Sequence, residues 1–99
     1  MLERAVAKAL TEAAKAHGVL IRKCHWEGRV GAPDYIAIYC GRVYFIETKA
    51  PGQKPRASQI AEFATIRTAG VSVRIVDSPD AAMATIRAIV QGDSTDGKD

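Results

Sequence analysis

The sequence predicts an α/β domain in which a small four-stranded mixed sheet is flanked by three helices. Three observations predict it: an N-terminal apolar stripe with helical spacing, two central strand-like runs joined by a tight turn, and a later strand–helix–strand order. A strand that connects through a helix to the next strand usually makes a right-handed crossover, so the last two strands are expected to be parallel neighbours or near-neighbours. The predicted order of elements is α-β-β-β-α-β-α.

The first two elements are a helix and a strand. Leu2 to Ala16 is rich in Ala, Leu, Glu and Lys, which favour helices, and its apolar residues recur at spacings of three and four. Gly18 is expected to end this helix as a C-cap. A first strand is predicted over residues 19–26 (VLIRKCHW), followed by a glycine-rich loop over residues 27–33 (EGRVGAP).

The central part of the chain predicts a hairpin. Residues 35–40 and 43–49 are strand-like, and Gly41-Arg42 between them is expected to form a two-residue turn. With that turn, residues whose numbers sum to about 83 would face each other. Lys49 would then lie opposite Asp34.

The last elements are a helix, a strand and a helix. Ser58 is expected to cap a helix that ends at Ala69, with an inner face formed by Ile60, Phe63, Ala64 and Ile66. A fourth strand covers residues 71–76, and Pro79 suits the first position of a final helix that runs to Val90. The polar tail from Gly92 is expected to be disordered, which leaves residues 1–91 as one domain.

Composition favours a soluble cytoplasmic domain with an anionic partner. The chain has 99 residues, 47% of them hydrophobic and 25% charged, with no apolar run long enough to span a membrane and no signal-peptide pattern. The net charge of +3 is compatible with nucleic acid but does not establish it. Cys24 and Cys40 lack metal-site spacing and are expected to be reduced.

Acidic and basic residues converge at the open end of the predicted hairpin. Side chains alternate along a strand, so Glu47 and Lys49 share a face, and Asp34 begins the partner strand. Two carboxylates, with the Thr48 carbonyl nearby, are the oxygen donors that a magnesium-type ion requires. A lysine beside them would orient water or stabilise charge on a phosphate, which predicts metal-assisted phosphodiester hydrolysis.

The alternative is a surface aspartate and an exposed Glu–Lys pair, worth less than about 1 kcal/mol of stability. The Gly31-Ala32-Pro33-Asp34 segment ahead of the hairpin favours the catalytic interpretation. Together with Ile46-Glu47-Thr48-Lys49, it resembles the signature of the PD-(D/E)xK nuclease superfamily. Within that superfamily the order and spacing resemble the VRR-NUC (virus-type replication-repair nuclease) family, which includes small stand-alone phage proteins. The resemblance covers residues 2–76 and implies a restriction-endonuclease-like core.

The resemblance implies a role for each matching position in the hairpin. Asp34 and Glu47 would be metal ligands, together with the Thr48 carbonyl, and the ion would be Mg²⁺ or Mn²⁺. Lys49 would be the catalytic lysine. No organic cofactor and no membrane partner are expected.

Two further positions have a functional and a structural interpretation. Glu3 would reach the metal from the first helix, directly or through water, but an acidic first turn also complements a helix dipole. Gln59 would hold the active site or contact the scissile phosphate, yet it would equally suit an exposed first turn. Many superfamily members have a tyrosine four residues beyond that glutamine, where this chain has Phe63.

The resemblance also implies a substrate and an assembly. The expected activity is that of a structure-selective DNA endonuclease, similar to Holliday-junction resolvases and acting as a homodimer in the cytoplasm, that of a bacterial host if the protein is phage-encoded. Candidate dimer surfaces are the apolar faces of the first and last helices. The alternatives are a flap-directed, end-directed or nicking nuclease, an RNase, and a catalytically silent DNA-binding module. His25 and Trp26 are interpreted as packing residues, and the candidate phosphate contacts are Arg22, Lys23, Arg29, Lys54 and Arg56.

Overall fold

The structure, a computed structural model, describes residues 2–92 and has the predicted fold class and order of elements. Residues 93–99 of the predicted disordered tail lie outside the described residues. Within the described part, no helix is both long and apolar enough to cross a membrane. The elements are α1 (Glu3–Ala16), β1 (Leu20–Lys23), β2 (Tyr35–Tyr39), β3 (Arg42–Thr48), α2 (Ala57–Thr68), β4 (Ser72–Val76) and α3 (Pro79–Val90).

The four strands form one mixed sheet in the order β1-β2-β3-β4. β1 pairs with β2 and β2 with β3 in antiparallel fashion, whereas β3 and β4 are parallel. The helix between β3 and β4 therefore makes the predicted crossover between parallel neighbours. β1 is shorter than predicted, because residues 24–26 already belong to the loop that leads to β2.

The hairpin turn is Cys40-Gly41, so the predicted turn at Gly41-Arg42 is wrong. Tyr39 and Arg42 form the last pair of the ladder. Both turn residues have positive φ, 50° at Cys40 and 77° at Gly41, as the favoured type I′ hairpin turn requires. Glycine suits such a turn, but the sequence does not say which of its two positions the glycine occupies.

With the turn at Cys40-Gly41, the register of the hairpin differs from the predicted register by two residues. Tyr35 pairs with Ile46, so the residues beyond them at the open end are Asp34 and Glu47. The predicted alignment of Asp34 with Lys49 is wrong. Two carboxyl-bearing residues therefore lie at the same level of neighbouring strands, closer together than the sequence indicated.

The main core lies between α1, α3 and one face of the sheet. The helical stripe of α1 and the inward residues of β2 and β3 are fully or almost fully buried there, including Val6, Leu10, Ala37, Tyr44 and Ile46. α3 begins as predicted, with Ser78 as N-cap and Pro79 in the first turn. Because the apolar faces of α1 and α3 are buried within the single chain, the suggestion that they form a dimer surface is wrong.

α2 covers the other sheet face next to β4, with an inner surface that the sequence did not predict. The helix begins at Ala57, so the predicted cap at Ser58 is wrong. Ile60 is 57% exposed and Ala64 also faces outwards, contrary to prediction.

Polar residues set the orientation of α2. Gln59 and Glu62 are buried beside Phe63. The hydrogen bonds of these two polar side chains keep this side of α2 against the sheet. Apolar periodicity cannot detect a buried helix face that contains polar residues. Gln59 also helps to begin the helix, because its Oε1 accepts from the backbone N–H of Arg56 at 2.8 Å.

Candidate active site

The end of β3 and the start of β2 form the acidic half of the candidate site. The backbone N–H of Asp34 donates to Oε1 of Glu47 at 3.1 Å. Thr48 donates to Oδ2 of Asp34 twice, from its backbone N–H at 3.0 Å and from its hydroxyl at 2.7 Å. These bonds fix the orientation of Asp34 and hold the two acidic residues together.

Lys49, the residue after β3, and Gln59 of α2 complete the cluster. Nζ of Lys49 lies 3.1 Å from Oε2 of Glu47 and donates to Oε1 of Gln59 at 3.0 Å. The Gln59 amide donates from Nε2 to the same Glu47 oxygen at 2.8 Å. Glu47 is 1% exposed and Gln59 is 5% exposed, so the alternative of an exposed first-turn glutamine is wrong.

The surroundings of Glu47 disfavour its charged form. Burial raises the pKa of Glu47, and the charge of Asp34 raises it further. Hydrogen bonds from Lys49 and Gln59 act in the opposite direction but leave the pKa above its ordinary value. A cation bound beside Glu47 would favour its ionised form.

The donor set fits a hard divalent cation of the magnesium type. Asp34 and Glu47 supply only oxygen, and Mg²⁺ is usually bound by one or two carboxylates, with waters and substrate phosphate completing its shell. Within residues 2–92, no group of three or more His, Cys, Asp or Glu side chains is arranged to hold a metal ion.

Glu3 reaches the cluster through Thr48. The Thr48 hydroxyl lies 3.2 Å from Oε2 of Glu3 and 2.7 Å from Oδ2 of Asp34. Glu3 also stands in the first turn of α1, as the helix-dipole interpretation requires. A ligand role for Glu3, or for the Thr48 carbonyl, stays a prediction.

The five predicted phosphate contacts do not form one patch. Arg22 pairs with Ile36 and so shares the sheet face of Glu47, whereas Lys23 lies on the opposite face with its ammonium over the Tyr35 ring. Arg29 binds Glu62, and the exposed Lys54 and Arg56 flank the start of α2. A role in phosphate binding stays a prediction for all five residues.

Glu62 was not predicted as a site residue, and Trp26 was predicted only to pack. Nε1 of Trp26 donates to Oε2 of Glu62 at 2.7 Å, and Nε of Arg29 donates to Oε1 at 3.0 Å. Hydrogen bonds from Arg29 and then from Trp26 hold the pKa of Glu62 below its ordinary value. The available signal was the spacing of three residues between Gln59 and Glu62, which places two polar side chains on one helix face.

Gly31 brings the loop before Asp34 against α2. Its φ is +95°, and a Cβ there would lie 2.6 Å from the Ser58 carbonyl oxygen and 3.1 Å from Cβ of Glu62. Gly31→Ala is therefore expected to destabilise the protein by about 2–4 kcal/mol, through backbone strain and a clash with helix backbone. Denaturant unfolding measures this loss.

Gly28→Ala is the matched control for that substitution. Gly28 also has positive φ, +69°, but nothing lies within 4 Å of its added Cβ. The control should cost only about 1 kcal/mol. Equal losses in the two variants would contradict the close packing of the loop on α2.

An α/β core with two carboxylates and a lysine at the end of a hairpin defines a nuclease-type domain of the PD-(D/E)xK kind. Comparison with known proteins gives the family. The chain is 35% identical over 79 residues to "Putative nuclease p44" of Acyrthosiphon pisum secondary endosymbiont phage 1, a match that covers 79% of this chain and 85% of that protein.

A solved structure of a VRR_NUC domain is similar to this chain throughout the fold. The TM-score is 0.75 at 33% sequence identity, and the match covers 90% of this chain and 94% of that domain. A scan against models of protein families finds no match. The chain belongs to the VRR-NUC family of nuclease domains.

Proposed function

We propose that this protein is a Mg²⁺- or Mn²⁺-dependent, structure-selective DNA endonuclease that resolves four-way junctions as a homodimer in the cytoplasm. The observation that carries the proposal is the hydrogen-bonded cluster of Asp34, Glu47, Lys49 and Gln59. A binding module would have no use for two carboxylates that burial and mutual repulsion disfavour, because such a pair weakens attraction for phosphate.

Each side chain of the cluster has a separate task. Asp34 and Glu47 would hold the metal ion, which supplies Lewis-acid activation of the phosphate and of water. Lys49 is held by Glu47 and Gln59 with its ammonium directed into the cluster, where it stabilises negative charge that develops on the phosphoryl oxygens. Gln59 donates to Glu47 and accepts from Lys49, so it keeps the two at a fixed separation.

The small size of the domain supports the choice of substrate, and the proposed dimer would match its symmetry. The domain formed by residues 2–92 has little surface for reading a long base sequence, which favours recognition of DNA shape. Symmetric cuts in a four-way junction require two sites related by a two-fold axis, and each chain supplies one cluster. A cut in linear duplex or at flaps would need only one.

The direct test compares labelled four-way junction, flap, single-stranded, linear duplex and RNA substrates with Mg²⁺, with Mn²⁺ and with EDTA. We expect metal-dependent incisions that are at least tenfold faster on the junction than on linear duplex. Preferred cutting of flaps or ends would favour the alternative of a flap-directed or end-directed nuclease. A protein that binds DNA and leaves every substrate intact would favour the silent binding module instead.

The assembly is tested separately by light scattering coupled to size exclusion. The chain has a mass of 10.6 kDa, so a homodimer would elute as a species of twice that mass. A stable monomer that still makes paired cuts in a junction would rule out the two-fold mechanism while leaving the nuclease activity in place.

A further inference from the structure

Both oxygens of the buried Glu62 carboxylate are occupied by the loop that leads to Asp34. This segment, residues 24–34, is called the Asp34 loop. Its Trp26 and Arg29 each donate to a different Glu62 oxygen, and the Glu62 side chain is only 10% exposed. Each oxygen of this buried carboxylate thus has a hydrogen-bond donor from the loop, so Glu62 links the loop to α2.

The Asp34 loop is held at its base, at its middle and at its end. At the base, the Cys24 N–H donates to the Asp34 carbonyl at 2.8 Å. In the middle, the Trp26 ring meets Phe45 of β3 edge to face, with centroids 5.8 Å apart. Near the end, Gly31 lies directly against the Ser58 carbonyl of α2. Glu62 adds the polar attachment between the loop and the helix.

The helix that receives the loop also carries Gln59. Gln59 and Glu62 are three residues apart and lie on one helix face. Gln59 donates to one Glu47 oxygen, and the Asp34 N–H donates to the other. Because a helix turn moves as a unit, a change in the docking of the loop on α2 changes the placement of Asp34 relative to Gln59.

Trp26 contributes more to this attachment than Arg29 does. The Arg29 side chain is 65% exposed, and ion pairs with such solvent access contribute little. The bond from Trp26 to Glu62 is short, involves an ionised acceptor and is partly shielded from water, which strengthens it. The contact is therefore directional and fixes the position of the indole.

We propose that Glu62 is a positioning residue: by holding Trp26, with Arg29 in support, it fixes the Asp34 loop on α2 and sets the placement of Asp34 relative to Gln59 on the two sides of Glu47. Its effect on cleavage rests on the proposed nuclease function. The placement itself can be followed without any cleavage, because the Asp34 backbone N–H and the Gln59 side-chain amide each give a signal in a ¹H–¹⁵N spectrum.

The first measurement is a ¹H–¹⁵N correlation spectrum of Glu62→Gln. We expect shifts of the Asp34 backbone and Gln59 side-chain resonances, while resonances of α1 and α3 stay in place. Trp26→Phe is the second variant, since it removes the N–H donor and keeps an aromatic ring, smaller than the indole, next to Phe45; it should shift the same resonances. Glu27→Gln is the matched control, a carboxylate of the same loop whose side chain is 97% exposed.

The second measurement is cleavage of the substrate that the wild type cuts. We expect Glu62→Gln and Trp26→Phe to lower the single-turnover rate by tenfold or more, with DNA affinity unchanged within about twofold, and Glu27→Gln to match the wild type. Unmoved Asp34 and Gln59 resonances in both variants, or a loss of affinity equal to the loss of rate, would overturn the positioning role. A wild type that cuts nothing would instead overturn the proposed function, and the spectra alone would then decide the positioning role.

Discussion

Lys49→Met is expected to reduce metal-dependent cleavage by at least about a hundredfold, the usual loss when one donor to a developing negative charge is removed. Its ammonium lies between Glu47 and Gln59 in a side chain that is only 12% exposed. Methionine keeps most of the apolar stem and removes the charge. Because the missing interaction would form mainly in the transition state, the rate should fall far more than DNA affinity.

The same substitution changes the remaining cluster in a defined way. The Lys49 hydrogen bond is one of the contributions that lower the pKa of Glu47, so its loss raises that pKa further. Thermal melts and circular dichroism would establish that the variant is folded before its rate is compared. Lys8→Met, on the exposed side of α1, is the control and should retain wild-type activity. A folded Lys49→Met protein that cuts within threefold of the wild type would rule out the catalytic lysine.

The order of elements and the parallel crossover could be predicted because each depends on local periodicity. The hairpin register could not, because it depends on where a single glycine sits in a two-residue turn. Cys40 adopts a φ of 50°, which is uncommon for residues other than glycine, so the sequence favoured the wrong pair of turn residues. Moving the turn by one residue changes the partner of each strand residue by two positions. Asp34 therefore lies beside Glu47 and not opposite Lys49.

The hairpin members of the candidate site were predicted more securely than the supporting residues. Glu47 and Lys49 follow from alternation along one strand, whatever the register. Gln59 and Glu62 face inwards on α2 while Ile60 faces solvent, which reverses the ordinary relation between polarity and burial. Only long-range partners such as Trp26, 36 residues from Glu62, explain that reversal, and they are invisible in local patterns.

Asp34→Asn is expected to reduce cleavage by more than about a hundredfold, since even groups that merely support a metal ligand contribute 10–100-fold. In EDTA at neutral pH the variant should nevertheless melt at the same temperature as the wild type or higher. An asparagine oxygen can still accept from Thr48, while the charge that raises the pKa of Glu47 is gone. Each kcal/mol gained would raise the melting temperature by about 4–8 °C.

The pH dependence of stability shows whether the charge of Asp34 acts on Glu47 in this way. In the wild type without metal, the folded-state pKa of Glu47 lies above its ordinary value of 4.5, so the folded state binds this proton more tightly than the unfolded state. The contribution of Glu47 to stability is thus lost as pH rises from 4.5 towards the folded-state pKa. Asp34→Asn should weaken that loss, whereas Glu12→Gln, at an exposed position of α1, should leave it unchanged.

Metal addition separates this catalytic interpretation from a purely structural one. Mg²⁺ or Mn²⁺ should raise the melting temperature of the wild type, because a ligand that binds only the folded state stabilises it, and should have little effect on Asp34→Asn. A variant that is destabilised in EDTA, or that gains as much stability from metal as the wild type, would contradict the assignment. If both expectations hold, Asp34 does not stabilise the metal-free protein and is needed for metal binding, as a ligand carboxylate should be.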